Sequence, residues 1–568
     1  MSKALLQELF ALSAGETLKL QGSNGDIAMG QPNHLPILTW AICYSDHFPG
    51  NPFHKDRRLF EAIVRLADFN SATVDDKGNF SSGYNGWDEL RMLAWLEAMK
   101  RLENEIDAAR KKTWRKKFIG AASQVMEIIT EIDHFDGFIP NHPVWDHVFL
   151  YRVGQLFGIK EYTNHATLAL ERVMGAQMPD GCFREGGTAA GFPGSPVTLY
   201  SLVSASALNA YHGYSGDPRA VESLEKSWRW FYDFLLPDFS SPPTLDFRCP
   251  YNPVEVLLHV FPAHLFNKPE GRCIASEGLR RYRRKLERSN AQERVAMHRG
   301  LGILGFQYDK IHDEVEERTP QWPEFHRMIS EEACIRRRNG WVAVLSGMTN
   351  RFASNFGPWA FFGHERQDCL SLFHKDLGLI IGSSHSKLQE ELSTFVFYEN
   401  GRAQYLHDHA CLRNPPPLDT LLLQYGSNSA AISVDTTRPE FCEITLSIHG
   451  ERGKRTLRGH GHCLSAMAAK GHLSFRLTDC EMVSLKERSW KVERSDEEPL
   501  CLNLAAGETI DLGKWQIASP DSPWQFRWPV RLSEPYSVLS YTGERVGIAE
   551  FLLDSVSRPT AKIRVSLR

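Results

Sequence analysis

Apolar residues recur at helical spacing through the first half of the chain, from about residue 55 to about residue 305. They lie three or four positions apart, which places them on one face of an α-helix that can pack against a core. Short Gly, Pro, Asn and Asp clusters separate these segments and predict tight connections. The pattern predicts about ten helices. The clearest are LFEAIVRLADF (59–69), WDELRMLAWLEAMKRL (87–102), FIGAASQVMEIITEI (118–132) and VFLYRVGQLFG (148–158). Such a run of helical hairpins is typical of a bundle, a solenoid or an α/α toroid.

The period of the pattern changes near residues 315–330, where EERTPQWPEFHR carries two prolines and several charges. Beyond this segment, alternating or β-branched runs such as GWVAVLSGM, STFVFYE, EITLSIHG and AKIRVSLR are separated by turn residues. Helices followed by strands indicate an α+β chain rather than βαβ alternation. We therefore expect a helical toroid domain at 1–325 and an antiparallel β-sandwich domain at 335–568.

Composition narrows the class of protein. A chain of 568 residues can bury a large core and form two or three domains. Charged residues make up 24% of it and nearly cancel to a net charge of −4, which argues against a general nucleic-acid binder. The opening MSKALLQELFALSAGETLKL lacks the apolar core of a signal peptide, and no window approaches about eighteen apolar residues. With 11 cysteines and no CxxC pair, we expect reduced thiols, a cytoplasmic protein and no membrane partner.

The first stretch that suggests chemistry is PNHPVWDH at 140–147. His142 and His147 are five residues apart with Pro143 between them, so they do not share the helix face that an i, i+4 metal pair needs. Asn141, with a proline two residues later, suits the start of a helix. A helix N-terminus offers free N–H groups and positive potential, which suit a bound carboxylate.

The second stretch lies at 177–202, where QMPDGCFREGG leads through a glycine-rich loop into another helix. Asp180 and Gly181 predict a turn, and Arg184 and Glu185 precede the loop. Tyr200 falls just inside the helix. A half-buried tyrosine with its hydroxyl at the rim of a core would explain Tyr200 equally well.

The third stretch, at 355–384, belongs to the first strands of the β half. His364 ends an aromatic run there, and Asp368 follows four residues later. A lone histidine in such a place is most often structural, so only its combination with the other two stretches suggests a function.

The combination resembles the heparinase II/III-like and alginate-lyase-like polysaccharide lyases, which join a helical toroid to a β-sandwich. In that group an Asn/His motif opens a toroid helix, a tyrosine follows a PDG loop, and a second histidine stands in an early strand of the sandwich. This chain offers Asn141 and His142, Tyr200, and His364 in the same order. After the strand histidine the chain reads ERQDC (365–369), which departs from the usual polar string of the family. The metal site that some members carry in the sandwich cannot be traced.

The resemblance implies β-elimination at a glycosidic bond beside a uronic acid. Removal of the C5 proton requires that the neighbouring carboxylate be neutralised, a role that the resemblance gives to Asn141 and His142. Tyr200 and His364 would act as base and acid, and the sequence leaves open which does which. A proton-accepting tyrosine needs nearby positive charge, for which Arg184 and the histidines are candidates. The elimination requires no cofactor, and the implied partner is a uronate-containing glycan or oligosaccharide.

Further side chains are candidates for contacts with the sugar, because aromatic rings stack on pyranoses and charged groups bind carboxylates and hydroxyls. Packing in helix cores would explain most of the aromatic rings equally well. The candidates are Trp87, Trp145, Asp146, Arg184, Glu185 and Arg366.

Two H-x-H pairs in the β half leave a divalent metal as an open alternative. They stand in YLHDHAC (405–411) and RGHGHC (458–463). On a strand, residues i and i+2 point to one face, so each pair could chelate a transition metal. Exposed strand histidines are the other explanation.

Two functions compete with the lyase. A glycoside hydrolase on an α/α toroid needs only two well-placed carboxylates, for which Asp88, Glu89, Asp146 and Glu185 are candidates. A non-catalytic glycan-binding protein would bind sugar without turnover.

Overall fold

The chain forms two units in its computed structural model. Unit 1 comprises Met1–Pro193, Thr198–Tyr232 and Pro253–Pro320, and unit 2 comprises Gly194–Val197, Asp233–Asn252 and Gln321–Arg568. The structure describes all residues except 1, 28–34, 77–78, 80–87, 132–140, 186–194, 197, 246–252, 330, 349–368, 383–392, 400–401, 405–406, 414–418, 451–453, 456–462, 465–467, 478–481, 492–499, 532–544 and 556.

Unit 1 is built from α-helices, with short 3₁₀ turns at Leu258–Val260 and Tyr308–Lys310. Within its described residues we find no helix with the length and apolar character needed to cross a membrane. The helices are α1 (Ser2–Leu18), α2 (Pro36–Ser45), α3 (Arg57–Thr73), α4 (Asp88–Arg101), α5 (Ala108–Glu131), α6 (Asn141–Phe157), α7 (Lys160–Gly175), α8 (Thr198–Ser215), α9 (Pro218–Phe234, which runs into unit 2), α10 (Val254–Leu257), α11 (Ala263–Phe266), α12 (Pro269–Arg288) and α13 (Ala291–Leu304).

Helix α3 shows how the apolar period produces these elements. Its buried residues include Leu59, Ile63 and Leu66, spaced four and then three positions apart. The carboxylate of Asp56 accepts a hydrogen bond from the backbone N–H of Arg58 and caps the first turn. One apolar stripe and one cap are therefore enough to define this helix from the sequence.

Helices α1 and α2 precede the segment in which the sequence pattern predicts helices. In α2 every residue from Pro36 to Tyr44 is buried. A helix that is enclosed on all sides carries no polar face, so it leaves no 3.6-residue period to detect.

Unit 2 consists mainly of β-strands. Apart from the short strand at 195–196, they begin at Phe325, inside the proline-containing segment where the period of the apolar pattern changes. A short strand β1 (Arg184–Glu185) belongs to unit 1. The others are β2 (Ser195–Pro196), β3 (Phe325–Ile329), β4 (Ala333–Arg338), β5 (Trp341–Ser346), β6 (Leu370–His374), β7 (Gly378–Ile381), β8 (Phe395–Glu399), β9 (Arg402–Gln404), β10 (His409–Arg413), β11 (Asp419–Tyr425), β12 (Asn428–Asp435), β13 (Phe441–Gly450), β14 (Lys454–Arg455), β15 (Cys463–Leu464), β16 (Ala468–Arg476), β17 (Met482–Leu485), β18 (Arg488–Lys491), β19 (Leu500–Leu504), β20 (Thr509–Asp511), β21 (Trp515–Ala518), β22 (Trp524–Arg531), β23 (Arg545–Asp554) and β24 (Thr560–Leu567).

Two large antiparallel sheets enclose one core. The first has the order β19-β22-β23-β16-β7-β6-β5-β4-β3, with β8 on β16 and β9 on β8, and the second has the order β10-β11-β12-β13-β24-β21-β20-β17-β18. Trp341 and Phe475 of the first sheet and Ile432 and Ile563 of the second belong to the same buried apolar cluster. The two sheets therefore form a sandwich, as the alternating pattern predicts.

The segment 233–252 interrupts the helical unit in sequence and belongs to unit 2. The Arg337 guanidinium on β4 donates hydrogen bonds to the backbone oxygens of Asp233 (2.6 Å) and Leu235 (3.1 Å). The hydroxyls of Thr244 and Ser371 on β6 are 2.9 Å apart. These contacts fix the described part of the segment, residues 233–245, to the first sheet.

Candidate functional site

Helices α6 and α8 lie side by side, and two contacts between them indicate that they run in the same direction. The rings of Tyr151 and Tyr211 meet edge-on, with centroids 5.0 Å apart. One turn further along both helices, the Gln155 side-chain amide donates a hydrogen bond to the backbone oxygen of Tyr214 (2.6 Å). Because both contacts advance toward the C-terminus together, the N-terminal ends of α6 and α8 lie at the same end of the pair.

The candidate residues at these two helix starts lie at matching levels. Asn141 opens α6, ten residues before Tyr151, and Tyr200 stands in the first turn of α8, eleven residues before Tyr211. At a rise of 1.5 Å per residue, the two lie about 15 and about 17 Å along their helices from the tyrosine pair. The structure thus brings Asn141 and Tyr200 to the same end of two neighbouring helices. The side chains of Asn141 and His142 lie outside the described residues, and the Tyr200 side chain is half-buried.

A buried histidine supports the first turn of α6. His147 Nδ1 lies 2.5 Å from the backbone oxygen of Pro143, and its ring stacks on His165 of α7 with centroids 6.0 Å apart. Burial lowers the pKa of His147 to about 4, so the ring is neutral at pH 7 and Nδ1–H donates to Pro143. His147 is therefore a structural residue and not a second ligand beside His142.

The PDG loop, residues 179–184, contains a tight turn that requires glycine. Asp180 Oδ1 accepts a hydrogen bond from the N–H of Cys182 (2.8 Å), and the Gly181 N–H donates to the oxygen of Met178 (2.8 Å). Gly181 has φ +101°, and a Cβ there would lie 2.1 Å from the backbone oxygen of Lys226 on α9. The glycine thus allows both the turn and the close approach to α9.

The loop is attached to α8 beside Tyr200. The N–H of Phe183 donates a hydrogen bond to Oγ of Ser201 (3.1 Å), and both residues are buried. Arg184 Nη2 lies 3.7 Å from Asp180 Oδ2, so the two charges of the loop partly balance each other. The sequence did not single out Ser201, because a serine within a helix carries no distinguishing pattern.

The other predicted contact residues are placed less favourably or lie outside the description. The Trp145 ring is 1% exposed and packs on Phe306, which makes it a core side chain in this structure. Asp146 is also buried. Trp87, His364 and Arg366 lie outside the described residues, as does the side chain of Glu185.

The H-x-H pair at 407 and 409 does not form a chelating face. His407 is buried just before β10, and its Nε2 lies 2.6 Å from the backbone oxygen of Gly347. His409 begins β10 and is exposed. The pair fails because only one of its members is on the strand. His460 and His462 lie outside the described residues.

A different cluster in unit 2 joins three types of metal-binding side chain. His326 on β3, Cys334 on β4 and Asp419 on β11 have ligand atoms within 4.8 Å of one another. The residues are far apart in sequence and form no motif, so only the packing of the two sheets reveals them.

The helical unit followed by a sandwich of two antiparallel sheets is the fold of the polysaccharide lyases that combine an α/α toroid with a β-sandwich. The α+β class and the toroid-then-sandwich order predicted from the sequence are thereby confirmed. The chain is similar to heparinase III (TM-score 0.56, 11% identity, 99% of this chain and 85% of that chain). It is also similar to a Paenibacillus xanthan lyase (0.56, 11%, 100% and 57%) and to the Streptomyces coelicolor A3 chondroitin AC lyase (0.53, 13%, 99% and 79%). No protein-family model matches the chain, and no curated protein matches it significantly in sequence.

Proposed function

We propose that the protein is a polysaccharide or oligosaccharide lyase that cleaves a glycosidic bond beside a uronic acid by β-elimination. The observation that carries the proposal is the matched level of Asn141 and Tyr200 at one end of two parallel helices. It occurs in a chain whose fold is shared with lyases named for heparin, xanthan and chondroitin. A helix N-terminus that can hold a carboxylate and a tyrosine that can transfer a proton are the two groups that elimination requires first.

In this proposal, the start of α6 neutralises the uronate. Free N–H groups and the positive end of the helix dipole favour a carboxylate there, and Asn141 and His142 add hydrogen bonds to it. Neutralisation makes the C5 proton more acidic and stabilises the enolate-like intermediate. Tyr200 and His364 then accept the C5 proton and protonate the leaving oxygen, in an order that pH-dependent kinetics can assign.

The PDG loop keeps Tyr200 in place during these steps. Phe183 and Ser201 join the loop to the first turn of α8, and Gly181 seats the loop against α9. Arg184, which lies beside Asp180, is the positively charged side chain of this loop. In the proposal it supplies the positive charge that a proton-accepting Tyr200 needs. A fixed loop holds the phenol in one orientation, which proton transfer over hydrogen-bonding distance needs.

Nothing in the part of the chain that the structure describes favours the hydrolase. Of its candidate carboxylates, Glu89 and Asp146 are 2% and 6% exposed, so neither presents its oxygens to a substrate in this structure. The side chains of Asp88 and Glu185 lie outside the described residues.

The decisive experiment exposes the purified chain to heparan sulfate, chondroitin, xanthan and alginate oligosaccharides. A lyase releases a product with a C4–C5 double bond, which absorbs in the ultraviolet, whereas a hydrolase releases a saturated product. Mass spectrometry distinguishes the two directly, because hydrolysis adds a water and elimination does not. Saturated products from the wild type would overturn the proposal.

A further inference from the structure

At the rim of the sandwich, three side chains from both sheets converge on one point. The His326 Nε2 atom lies 3.2 Å from Oδ1 of Asp419, and the Cys334 sulfur completes a set of ligand atoms within 4.8 Å of one another. Asp419 and Cys334 are 2% and 1% exposed, and His326 is partly exposed. The cluster therefore has a buried floor and one side that faces solvent.

The spacing of the nitrogen and the oxygen suits a shared metal ion. Two ligands bound at about 2.0–2.1 Å to a tetrahedral ion are about 3.3 Å apart, close to the observed separation of His326 and Asp419. The thiolate sulfur would need to lie at a similar distance from both. The Cys334 sulfur lies within 4.8 Å of both atoms, and metal binding would draw the three side chains together.

The chemistry of the three ligands selects the type of ion. Nitrogen, sulfur and carboxylate oxygen together suit Zn²⁺ and Co²⁺, whereas Ca²⁺ and Mg²⁺ prefer oxygen alone. The neutral imidazole of a histidine is a common ligand of such ions. A cysteine binds such ions as the thiolate, so metal binding must release the Cys334 thiol proton to solvent.

Arg336 places a positive charge beside the proposed metal site, because its guanidinium binds Asp419. Its guanidinium donates from Nη2 to Oδ1 of Asp419 at 2.8 Å and from Nε to Oδ2. A carboxylate has about four lone-pair sites, so this fork leaves acceptor positions on Asp419 for a cation. Arg336 then orients the carboxylate, as partners of metal ligands commonly do.

We propose that His326, Cys334 and Asp419 form a binding site for one divalent transition-metal ion of the zinc class, with water as the fourth ligand. The site lies within unit 2 and uses none of the residues assigned to glycan cleavage. The competing interpretation is an ion-paired group of Asp419 with Arg336 and His326 that ties the two sheets together. The thiol distinguishes the two, because the ion pairs do not involve Cys334.

The test uses the full chain after removal of metals with a chelator. Titration with Co²⁺ should give a saturable thiolate-to-cobalt charge-transfer band and about one proton released per ion. Zn²⁺ should then abolish the band by displacement. Cys334→Ser should eliminate the band, and His326→Ala, which removes a direct ligand, should weaken binding by at least about ten- to a hundred-fold, the cost of losing a ligand's partner.

Matched controls come from the same unit. Cys501 is an exposed thiol and His409 an exposed histidine, so Cys501→Ser and His409→Ala should bind Co²⁺ as the wild type does. Thermal unfolding of each variant checks that it is folded. If Cys334→Ser is unstable, His326→Ala still tests the site, because His326 is partly exposed and its replacement disturbs the core less. Absence of a charge-transfer band in the wild type, or its persistence in Cys334→Ser, would leave only the ion-paired group and overturn the proposal.

Discussion

The hydroxyl of Ser201 accepts a hydrogen bond from the backbone N–H of Phe183 at a distance of 3.1 Å. Phe183 belongs to the PDG loop, and Ser201 follows Tyr200 in the first turn of α8. The bond is buried, so water does not compete for either group. The loop and the candidate catalytic tyrosine are therefore mechanically joined.

Replacement of Tyr200 by Phe should reduce the initial rate of ultraviolet-absorbing product by about a hundred- to ten-thousand-fold, because a positioned proton-transfer group is lost. The ring remains, so the unfolding temperature should stay close to that of the wild type. Tyr211→Phe is the control: it removes a hydroxyl that lies 3.1 Å from Asp217 near the opposite end of the same helix. Full activity in Tyr200→Phe would show that the proposed site is wrong.

Replacement of Glu185 by Gln should separate the two enzymatic mechanisms. A lyase should retain part of its activity and still release an unsaturated product, because the carboxylate is not its acid or base. A hydrolase that uses Glu185 should become inactive. Rates and product masses of the variant and wild type provide the measurement. A silenced variant together with saturated wild-type product would support the hydrolase.

Replacement of Gly181 by Ala should destabilise unit 1 by about 2–5 kcal/mol, because positive φ and a collision with the Lys226 backbone add together. Gly216→Ala is the matched control. Gly216 also has positive φ (+71°), but a Cβ added there would have no described atom within 4 Å, so a loss of about 1–2 kcal/mol is expected. Urea denaturation compares the two variants. Equal losses would mean that the loop can move away from α9 without cost.

The stability of unit 2 should depend on acid pH through Glu550. His472 Nε2 lies 3.0 Å from Oε2 of Glu550, and this contact is the main cause that lowers the pKa of Glu550 from 4.5 to about 2. A lowered carboxylate pKa stabilises the fold above the unfolded value, and that stabilisation is lost as the pH falls from about 4.5 toward about 2.

Glu550→Gln removes this titration. The wild type should therefore unfold at a higher temperature than the variant near neutral pH, and the difference should shrink from about pH 6 to about pH 3. Thermal unfolding across this range is the measurement. A difference that grows as the pH falls would contradict the assignment.

Local periodicity predicted many elements correctly because it reflects burial on one face. The run at 59–69 lies within α3, and EITLSIHG lies within β13, whose residues alternate between buried and partly exposed. Helix α2 was missed because it is enclosed on all sides. Periodicity predicts an element only where a buried apolar face alternates with an exposed polar face, and a fully buried helix has no such alternation.

The candidate site shows the same division. Short sequence patterns predicted the PNH motif, the PDG turn and Tyr200, because helix caps and turns require particular residue types. Asn141 and Tyr200 lie at matching levels along α6 and α8 because Tyr151 contacts Tyr211. No sequence motif predicts that contact. Trp145 has the residue type of a sugar platform, but its position on α6 directs it into the core.

By itself, the sequence determined the α+β class, the order of helices before strands, and the residue types able to perform an elimination. These features depend on the apolar period and on the residue types of caps and turns, which can be read from a single sequence. Tertiary structure alone decided that β13 pairs with β24 and β16 with β23, that α6 and α8 run parallel, and that His326, Cys334 and Asp419 meet. Such contacts join residues far apart in the chain, and they are selected by the free energy of packing whole faces together, which no local pattern records.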